Sequence, residues 1–138
     1  MAKIKYDIDA MKFMSLFESM TGAKLRDCII AESMITFVVE ENEIAKAIGR
    51  GGANIRKLES VLKKKIKVAE YSTDIAKFIQ NLTYPAKVRE VKADGRIVSI
   101  MAVDSYSRGL LIGRGAAVLR AYESIVKRYF DIDEIKVL

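Results

Sequence analysis

Two short glycine-rich segments contain the residue types that bind a phosphate backbone. The first covers residues 48–55 and reads IGRGGANI, with Arg50 between Gly49 and Gly51. Glycine adopts backbone angles that other residues avoid, and its lack of a side chain lets a ligand's backbone come close. A helix is predicted to begin just after these glycines, and the free N–H groups and positive dipole of a helix start favour phosphate. Arg50 adds a charged, forked donor, so the segment predicts an anion-binding loop.

A glycine motif of this length also occurs in sites of other kinds. A corner between two helices needs glycine for its geometry alone, and a single copy of the motif leaves that role open. A dinucleotide-binding fingerprint needs a strand that leads directly into the glycines, and none is predicted before Gly49. A P-loop needs Gly-Lys followed by Ser or Thr, which this sequence lacks.

The motif recurs 64 residues later, which favours a ligand-binding role. The segment from Ile48 reads IGRGGANIRKLESVLKKKI, and the segment from Ile112 reads IGRGAAVLRAYESIVKRYF. Nine of these 19 positions are identical, including Arg56 with Arg120. Such self-similarity is typical of a duplicated structural unit. Two copies, each with arginine at the tip, favour a nucleic-acid-binding loop over a purely geometric corner.

The same order of elements is predicted around both loops. In the first unit, apolar residues at helical spacing predict a helix over residues 9–20, with Asp7 or Asp9 as its N-cap and Gly22 at its end. We expect Met11, with two other methionines of this helix, to lie in the core. The remaining strands and helices of this unit are predicted at residues 24–31, 34–40, 43–48, 53–63 and 66–71.

The second unit has matching signals. A helix begins at Thr73 or Asp74 and is stopped by Tyr84-Pro85, and a hairpin turn is predicted at Asp94-Gly95. The helix after the second loop is predicted to carry an apolar face as far as Tyr129. The other elements are predicted at residues 87–92, 96–103, 105–111 and 133–138.

These elements predict an α+β fold in which the order α-β-β-α-α-β occurs twice. The first domain is expected at residues 1–72 and the second at residues 73–138. Small domains bury a limited share of their surface, and no Gly/Ser/Pro-rich linker separates these two. We therefore expect them to pack as one rigid unit, with both loops on one extended surface.

The composition argues against an enzyme. The chain of 138 residues has no His and one Cys, which removes the commonest general base and the ligands of an ordinary zinc site. An acidic cluster of Asp131, Asp133 and Glu134 fits a solvated turn better than a cation site. We therefore predict no catalytic residue, no metal and no cofactor.

Charge and hydropathy further limit the class of protein to which the chain can belong. Lys and Arg number 24 against 18 Asp and Glu, and the resulting net charge of +6 favours a polyanionic partner. The sequence has no run near the roughly 18 apolar residues that span a bilayer, and it begins without a signal-peptide pattern. Cys28 lies in an apolar run, so we expect a buried thiol in a reducing compartment, the cytoplasm.

The pattern I-G-x-x-G-x-x-I at residues 48–55 resembles the signature of KH domains, whose GxxG loop clamps about four nucleotides of single-stranded RNA. The helix-first order is similar to the type II KH arrangement. Residues 49–72 resemble the first KH domain of NusA-type transcription factors. A short chain with two tandem KH units is similar to the archaeal NusA-like members of that family.

The resemblance implies RNA-binding residues at both loops. In the first unit they are Ile48, Gly49, Arg50, Gly51, Gly52, Asn54 and Arg56, and in the second they are Gly113, Arg114, Gly115, Ala116 and Arg120. The second loop departs from the pattern at Ala116 and at Val118, which replaces Asn54. The methyl group of Ala116 either suits the helix that it opens or crowds the RNA, so we expect the second loop to bind less well.

Three further side chains near the loops are candidates for contacts. Lys46 and Lys57 flank the first loop and carry charges that favour phosphate. Tyr106, before the second loop, is predicted either to stack on a base or to serve as an ordinary core or surface tyrosine.

The resemblance also implies a role. We expect a non-enzymatic, monomeric binder of single-stranded RNA that acts on nascent transcripts in termination or antitermination, with RNA polymerase as a candidate partner. Two alternatives stay open: a ribosomal or ribosome-assembly KH protein, and an adaptor that uses KH folds to dock other proteins.

Overall fold

The computed structural model describes residues 7–31 and 34–138, which form two compact units. One unit ends at Ser72 and the other begins at Thr73. Within the described ranges, both units follow the order α-β-β-α-α-β, and each has its own three-stranded sheet. These observations confirm the α+β fold class and the predicted element order. No helix in these ranges is long and apolar enough to cross a membrane.

The first unit begins with a helix that is capped at both ends. Asp7, rather than Asp9, is the N-cap, and its carboxylate accepts a hydrogen bond from the Ala10 N–H at 2.8 Å. Gly22 ends the helix in the left-handed conformation. The elements of this unit are α1 (Ile8–Thr21), β1 (Leu25–Ile30), β2 (Met34–Val39), α2 (Ile44–Ile48), α3 (Ala53–Leu62) and β3 (Lys65–Glu70).

The loop of the first unit lies between two helices that join parallel strands. β2 is the central strand and pairs antiparallel with β1 and parallel with β3. α2 and α3 therefore form the crossover from β2 to β3, and the glycine loop lies at its midpoint. Ala47 of α2 and Leu58 of α3 are fully buried with Phe17 and Phe37, whose rings stack at 4.3 Å. This core holds the helix on each side of the loop.

One expected core residue lies outside the core. Met11 is 54% exposed. The buried residues Ala10, Phe17 and Thr21 define the inner face of α1, and position 11 turns away from that face. The prediction that Met11 fills the core is therefore wrong.

The second unit repeats the topology of the first. β5 is central and pairs antiparallel with β4 and parallel with β6. Asp74 and Asp104 cap the first two helices by accepting backbone hydrogen bonds. The elements are α4 (Ile75–Thr83), β4 (Val88–Asp94), β5 (Ile97–Ala102), α5 (Ser105–Ile112), α6 (Ala117–Val126) and β6 (Glu134–Val137).

α6 is shorter than its apolar pattern predicts. After Val126 the chain tightens, and the N–H groups of Arg128 and Tyr129 bond to carbonyls three residues earlier. The Tyr129 ring leaves the helical face and packs edge-on against Phe78, with 5.4 Å between the ring centroids. Aromatic packing on α4 therefore replaces the predicted continuation of the helix.

The acidic cluster near the end of the chain is occupied by an arginine. The hairpin turn is formed by Gly95 and Arg96, one residue later than predicted. Arg96 bonds to Asp131 at 2.6 Å and to Asp133 at 2.9 Å, and its hydrogen bond holds the pKa of the Asp133 carboxyl below its usual value. Among residues 7–31 and 34–138, no group of three or more acidic or Cys side chains is arranged to hold a metal ion.

A glutamate joins the helix after each loop to the last strand of its unit. In the second unit, Glu123 Oε2 accepts a hydrogen bond from the Ile135 N–H at 2.8 Å. In the first unit, the matching Glu59 Oε2 accepts one from the Ile66 N–H at 3.2 Å. Since β3 and β6 are edge strands, these carboxylates satisfy backbone donors on the open side of each sheet.

The first glycine of each loop has a backbone conformation that is essentially restricted to glycine. Gly49 has φ 78° and ψ 172°, and Gly113 has φ 72° and ψ 179°. A Cβ on Gly49 would lie 2.9 Å from the Asn54 side chain, and one on Gly113 would lie 2.4 Å from Val118 Cγ2. Conformation and space therefore both require glycine here.

The third loop position does not require glycine as strictly as the first. Gly51 and Gly115 both have φ 60°, in the left-handed helical region that Asn and Asp also enter. Apart from the glycine itself and its two chain neighbours, no described residue has an atom within 4 Å of a Cβ built on either position. Side chains at these positions would extend into open space.

Replacing Glu123 with alanine is expected to lower the free energy of unfolding by about 2 kcal/mol, because the buried Ile135 N–H loses its acceptor. Urea denaturation measures the difference from wild type. Ser124→Ala, at an exposed position of the same helix, is the control and should cost less than about 0.5 kcal/mol. Equal stabilities for the two variants would contradict this role of Glu123.

Replacement by alanine is expected to lower the free energy of unfolding more at Gly113 than at Gly115. At Gly115 the left-handed backbone alone costs about 1 kcal/mol. At Gly113 the clash with Val118 should add roughly 1–3 kcal/mol. Chemical denaturation of the two variants checks this order, and equal losses would show that Val118 does not constrain the loop.

Candidate nucleic-acid interface

The two loops have the same backbone path. Each is a single tight turn, Arg50–Gly52 in the first unit and Arg114–Ala116 in the second. The turn is closed by a hydrogen bond from the N–H of the fourth loop residue to the carbonyl of the first, 3.2 Å in one loop and 3.3 Å in the other. The predicted repeat is therefore present in the loop's three-dimensional form.

An exposed arginine lies at the tip of each loop. Arg50 and Arg114 are both exposed, and neither has a hydrogen-bond or ion-pair partner among the described residues. An exposed guanidinium keeps its hydration, so no free energy is spent on desolvating it before a ligand binds. Its planar set of N–H donors matches the oxygens of a phosphate. Both guanidinium groups are therefore open to an anionic ligand.

The helices that follow the loops begin without a side-chain cap. The carboxylates of Asp7, Asp74 and Asp104 cap α1, α4 and α5. Gly52 is the N-cap residue of α3 and Ala116 that of α6, and in the part of the chain that is described neither helix start has a side-chain cap. The positive ends of these two helix dipoles therefore face the loops without a carboxylate to offset them, which favours an anionic ligand.

Two polar side chains support the first loop from α3. Asn54 Nδ2 donates to the Lys46 carbonyl at 3.0 Å and so links α3 to α2. Arg56 Nη1 donates to the Gly51 carbonyl at 2.5 Å. Asn54 and Arg56, which are predicted as neighbours of RNA, thus direct these donors to the protein's own backbone.

The second loop lacks both supports. Val118 replaces the asparagine and packs against Gly113 instead of bonding to the preceding helix. Arg120 donates to Glu123 Oε2 at 2.7 Å rather than to a loop carbonyl. The second loop thus keeps its backbone shape with different side-chain contacts.

Ala116 is in a strained conformation. It has φ 62° and ψ 19°, close to the angles of Gly52 at the same position of the first loop. The expectation that alanine suits the helix it opens is wrong, because Ala116 precedes the helix and is left-handed. For a residue with a Cβ this conformation costs roughly 1–2 kcal/mol.

Apolar and aromatic side chains flank the loops. Ile48 is 37% exposed and offers apolar surface beside the first loop, whereas Ile55 packs on the core of its unit. Tyr106, at the start of α5, is 76% exposed, which excludes the core position and leaves its ring open to solvent. Lys46 and Lys57 are exposed near the first loop, and Lys46 Nζ lies 3.9 Å from Glu43.

The structure brings the predicted residues of each unit into one loop and the helix start beside it. Sequence reasoning missed the residues that hold this arrangement in place. Glu43 accepts a hydrogen bond from the Lys24 N–H at 2.7 Å and so ties the start of α2 to the start of β1. Glu59 and Glu123 are identical in the two repeats although they lie outside the loops, and this identity was the available signal.

Comparison with known proteins places the chain in a family. Residues 14–95, more than half of the chain, match the family model described as KH domain. The probable transcription termination protein NusA of Methanococcus vannielii is 35% identical, over 99% of this chain and 80% of the relative. The protein of the same name from Methanocaldococcus jannaschii is 30% identical, over 100% of this chain and 77% of the relative.

A third protein of this name, from Thermoplasma acidophilum, is 29% identical over 99% of this chain and 97% of the relative. Among solved structures, the crystal structure of APE1850 has a TM-score of 0.76 and 28% sequence identity, and the match covers 96% of this chain and 100% of that chain. The loops, the repeated topology and relatives that align along nearly the whole chain agree, and the protein belongs to the KH-domain family of archaeal NusA-like proteins.

Proposed function

We propose that this protein binds single-stranded RNA through its two glycine-arginine-glycine loops, with the first loop as the stronger site. The observation that carries this proposal is a combination found in both units: among the described residues, the loop arginine has no partner and the following helix has no side-chain cap. KH domains bind single-stranded RNA with a loop of this kind.

The first loop binds the RNA backbone by close approach and charge. Gly49, Gly51 and Gly52 keep side chains away from the path of the phosphates, and Arg50 attracts a phosphate at the tip. The start of α3 adds its dipole. Ile48 supplies exposed apolar surface on which a base can rest.

The second loop uses Gly113, Arg114 and Gly115 in the same way but binds more weakly. The methyl group of Ala116 leaves the RNA backbone less room to approach the fourth residue of the loop. The strain at this residue also adds to the cost of holding the loop in the binding form.

The names of the relatives support a role in transcription termination. We propose that this chain acts in the cytoplasm on nascent RNA, as a monomer, in termination or antitermination, with RNA polymerase as a candidate partner. Addition of the protein to a transcription reaction with purified archaeal polymerase should change the efficiency of termination at a defined site. Preferential binding to folded ribosomal RNA over transcript-derived single strands would favour the ribosomal alternative instead.

Gly51→Asp is expected to weaken binding of a short single-stranded RNA by at least about tenfold, roughly 1.4 kcal/mol. Aspartate tolerates the left-handed backbone at this position and finds open space, so the fold should survive. Its carboxylate would repel the incoming phosphate. Fluorescence anisotropy measures the affinity, and circular dichroism verifies the fold.

Gly51→Asn is the matched control, because asparagine has the same shape without the charge. It should lose much less affinity than Gly51→Asp, and Gly115→Asp should also lose less. Full RNA binding by both folded aspartate variants would overturn the proposed function. Capture of a protein partner that survives loss of Arg50 and Arg114 would point to an adaptor.

A further inference from the structure

Matched arginines in the two units have different partners. Arg56 donates to the carbonyl of Gly51, inside its loop. Arg120 occupies the same position of the repeat, 64 residues later, yet it donates to Glu123 on its own helix. The acceptor that Arg120 takes is not unique to its unit, because Glu59 is present at the matching position of the first. The presence of this glutamate alone therefore does not determine which partner the arginine takes, and the loops themselves also differ.

The fourth loop residue supplies that difference. A Cβ built on Gly52 would lie 3.3 Å from Arg56 Nη1, closer than most real Cβ contacts. Ala116 carries this Cβ at the matching position, with nearly the same backbone angles as Gly52. A methyl group there would press on the guanidinium that donates to the Gly51 carbonyl, which would have to shift by a few tenths of an ångström.

We propose that Arg56 is a positioning residue that holds the first loop in its RNA-binding shape, and that the Ala116 methyl group displaces Arg120 from the same task in the second loop. The fourth loop position thus determines how rigid each loop is before RNA arrives. A preformed loop loses less freedom on binding, so this difference adds to the affinity of the first site. The inference rests on the proposed RNA binding and adds a further cause for the difference in RNA affinity between the two loops.

The first test compares Arg56→Ala with Arg50→Ala in the full chain. Arg56→Ala should speed amide hydrogen exchange at residues 49–52 of the RNA-free protein and weaken RNA binding by about fivefold. The slope of log affinity against log salt should stay at the wild-type value, because no phosphate contact is removed. Arg50→Ala should leave the exchange unchanged and reduce that slope by about 0.7.

Arg56→Lys keeps a hydrogen-bond donor and a positive charge. Its amide hydrogen exchange at residues 49–52 should therefore be slower than that of Arg56→Ala. If Arg56→Ala reduces the salt slope as much as Arg50→Ala does and leaves loop exchange unchanged, Arg56 contacts RNA directly and the inference is overturned. Amide hydrogen exchange is measured in the RNA-free protein, so it tests whether Arg56 holds the loop independently of RNA binding. Failure of the wild-type protein to bind RNA would therefore count against the proposed function, separately from this inference.

The second test is a double-mutant cycle in the second loop, in a Gly51→Asp chain whose first loop is disabled. Ala116→Gly should slow exchange at residues 113–116 and strengthen RNA binding by about fivefold while Arg120 is present. In an Arg120→Ala background the gain should be clearly smaller, because only the relief of backbone strain and the wider approach for RNA then remain. A gain of the same size without Arg120 would mean that the methyl group acts only through backbone strain or on RNA itself, which overturns the inference.

Discussion

The turn between the paired helices depends on a single glycine conformation in each unit. Gly49 and Gly113 have positive φ with ψ near 180°, and each presses against the second residue of the following helix. A side chain would be excluded by both the backbone and the neighbouring atoms. The direction in which the next helix leaves the loop follows from this conformation, and with it the position of the helix dipole beside the arginine. The core residues on α2 and α3 then hold the two helices against the sheet.

Two nearly identical backbones carry different side-chain support. The first loop is tied to its flanking helices by Asn54 and Arg56, whereas the second has Val118 beneath its first glycine and a strained alanine at its fourth position. The two units thus share the backbone geometry of the loop while the side-chain contacts around it differ.

Much of the fold followed from the sequence, because apolar spacing, turn residues and the internal repeat all predict the same elements. Asp7 and Gly22 act as the caps that their types predict. The misses have local physical causes. The end of α6 depends on Tyr129 packing against Phe78, a contact between segments far apart in the chain, and spacing along a helix does not report it.

The site was predicted in its location but not in its internal contacts. The repeat identified both loops. It also made Arg56 and Arg120 look equivalent, so the sequence did not show that they have different hydrogen-bond partners. Those partners depend on a methyl group at Ala116, whose left-handed backbone becomes visible only in three dimensions.

NMR titration of the full chain with a short single-stranded RNA tests the central claim most directly. The account predicts that the largest amide shifts occur at residues 49–52 and at the start of α3 at low RNA concentration. Residues 113–116 should follow at higher concentration. Shifts that leave both loops unchanged while RNA binds elsewhere on the chain would contradict it.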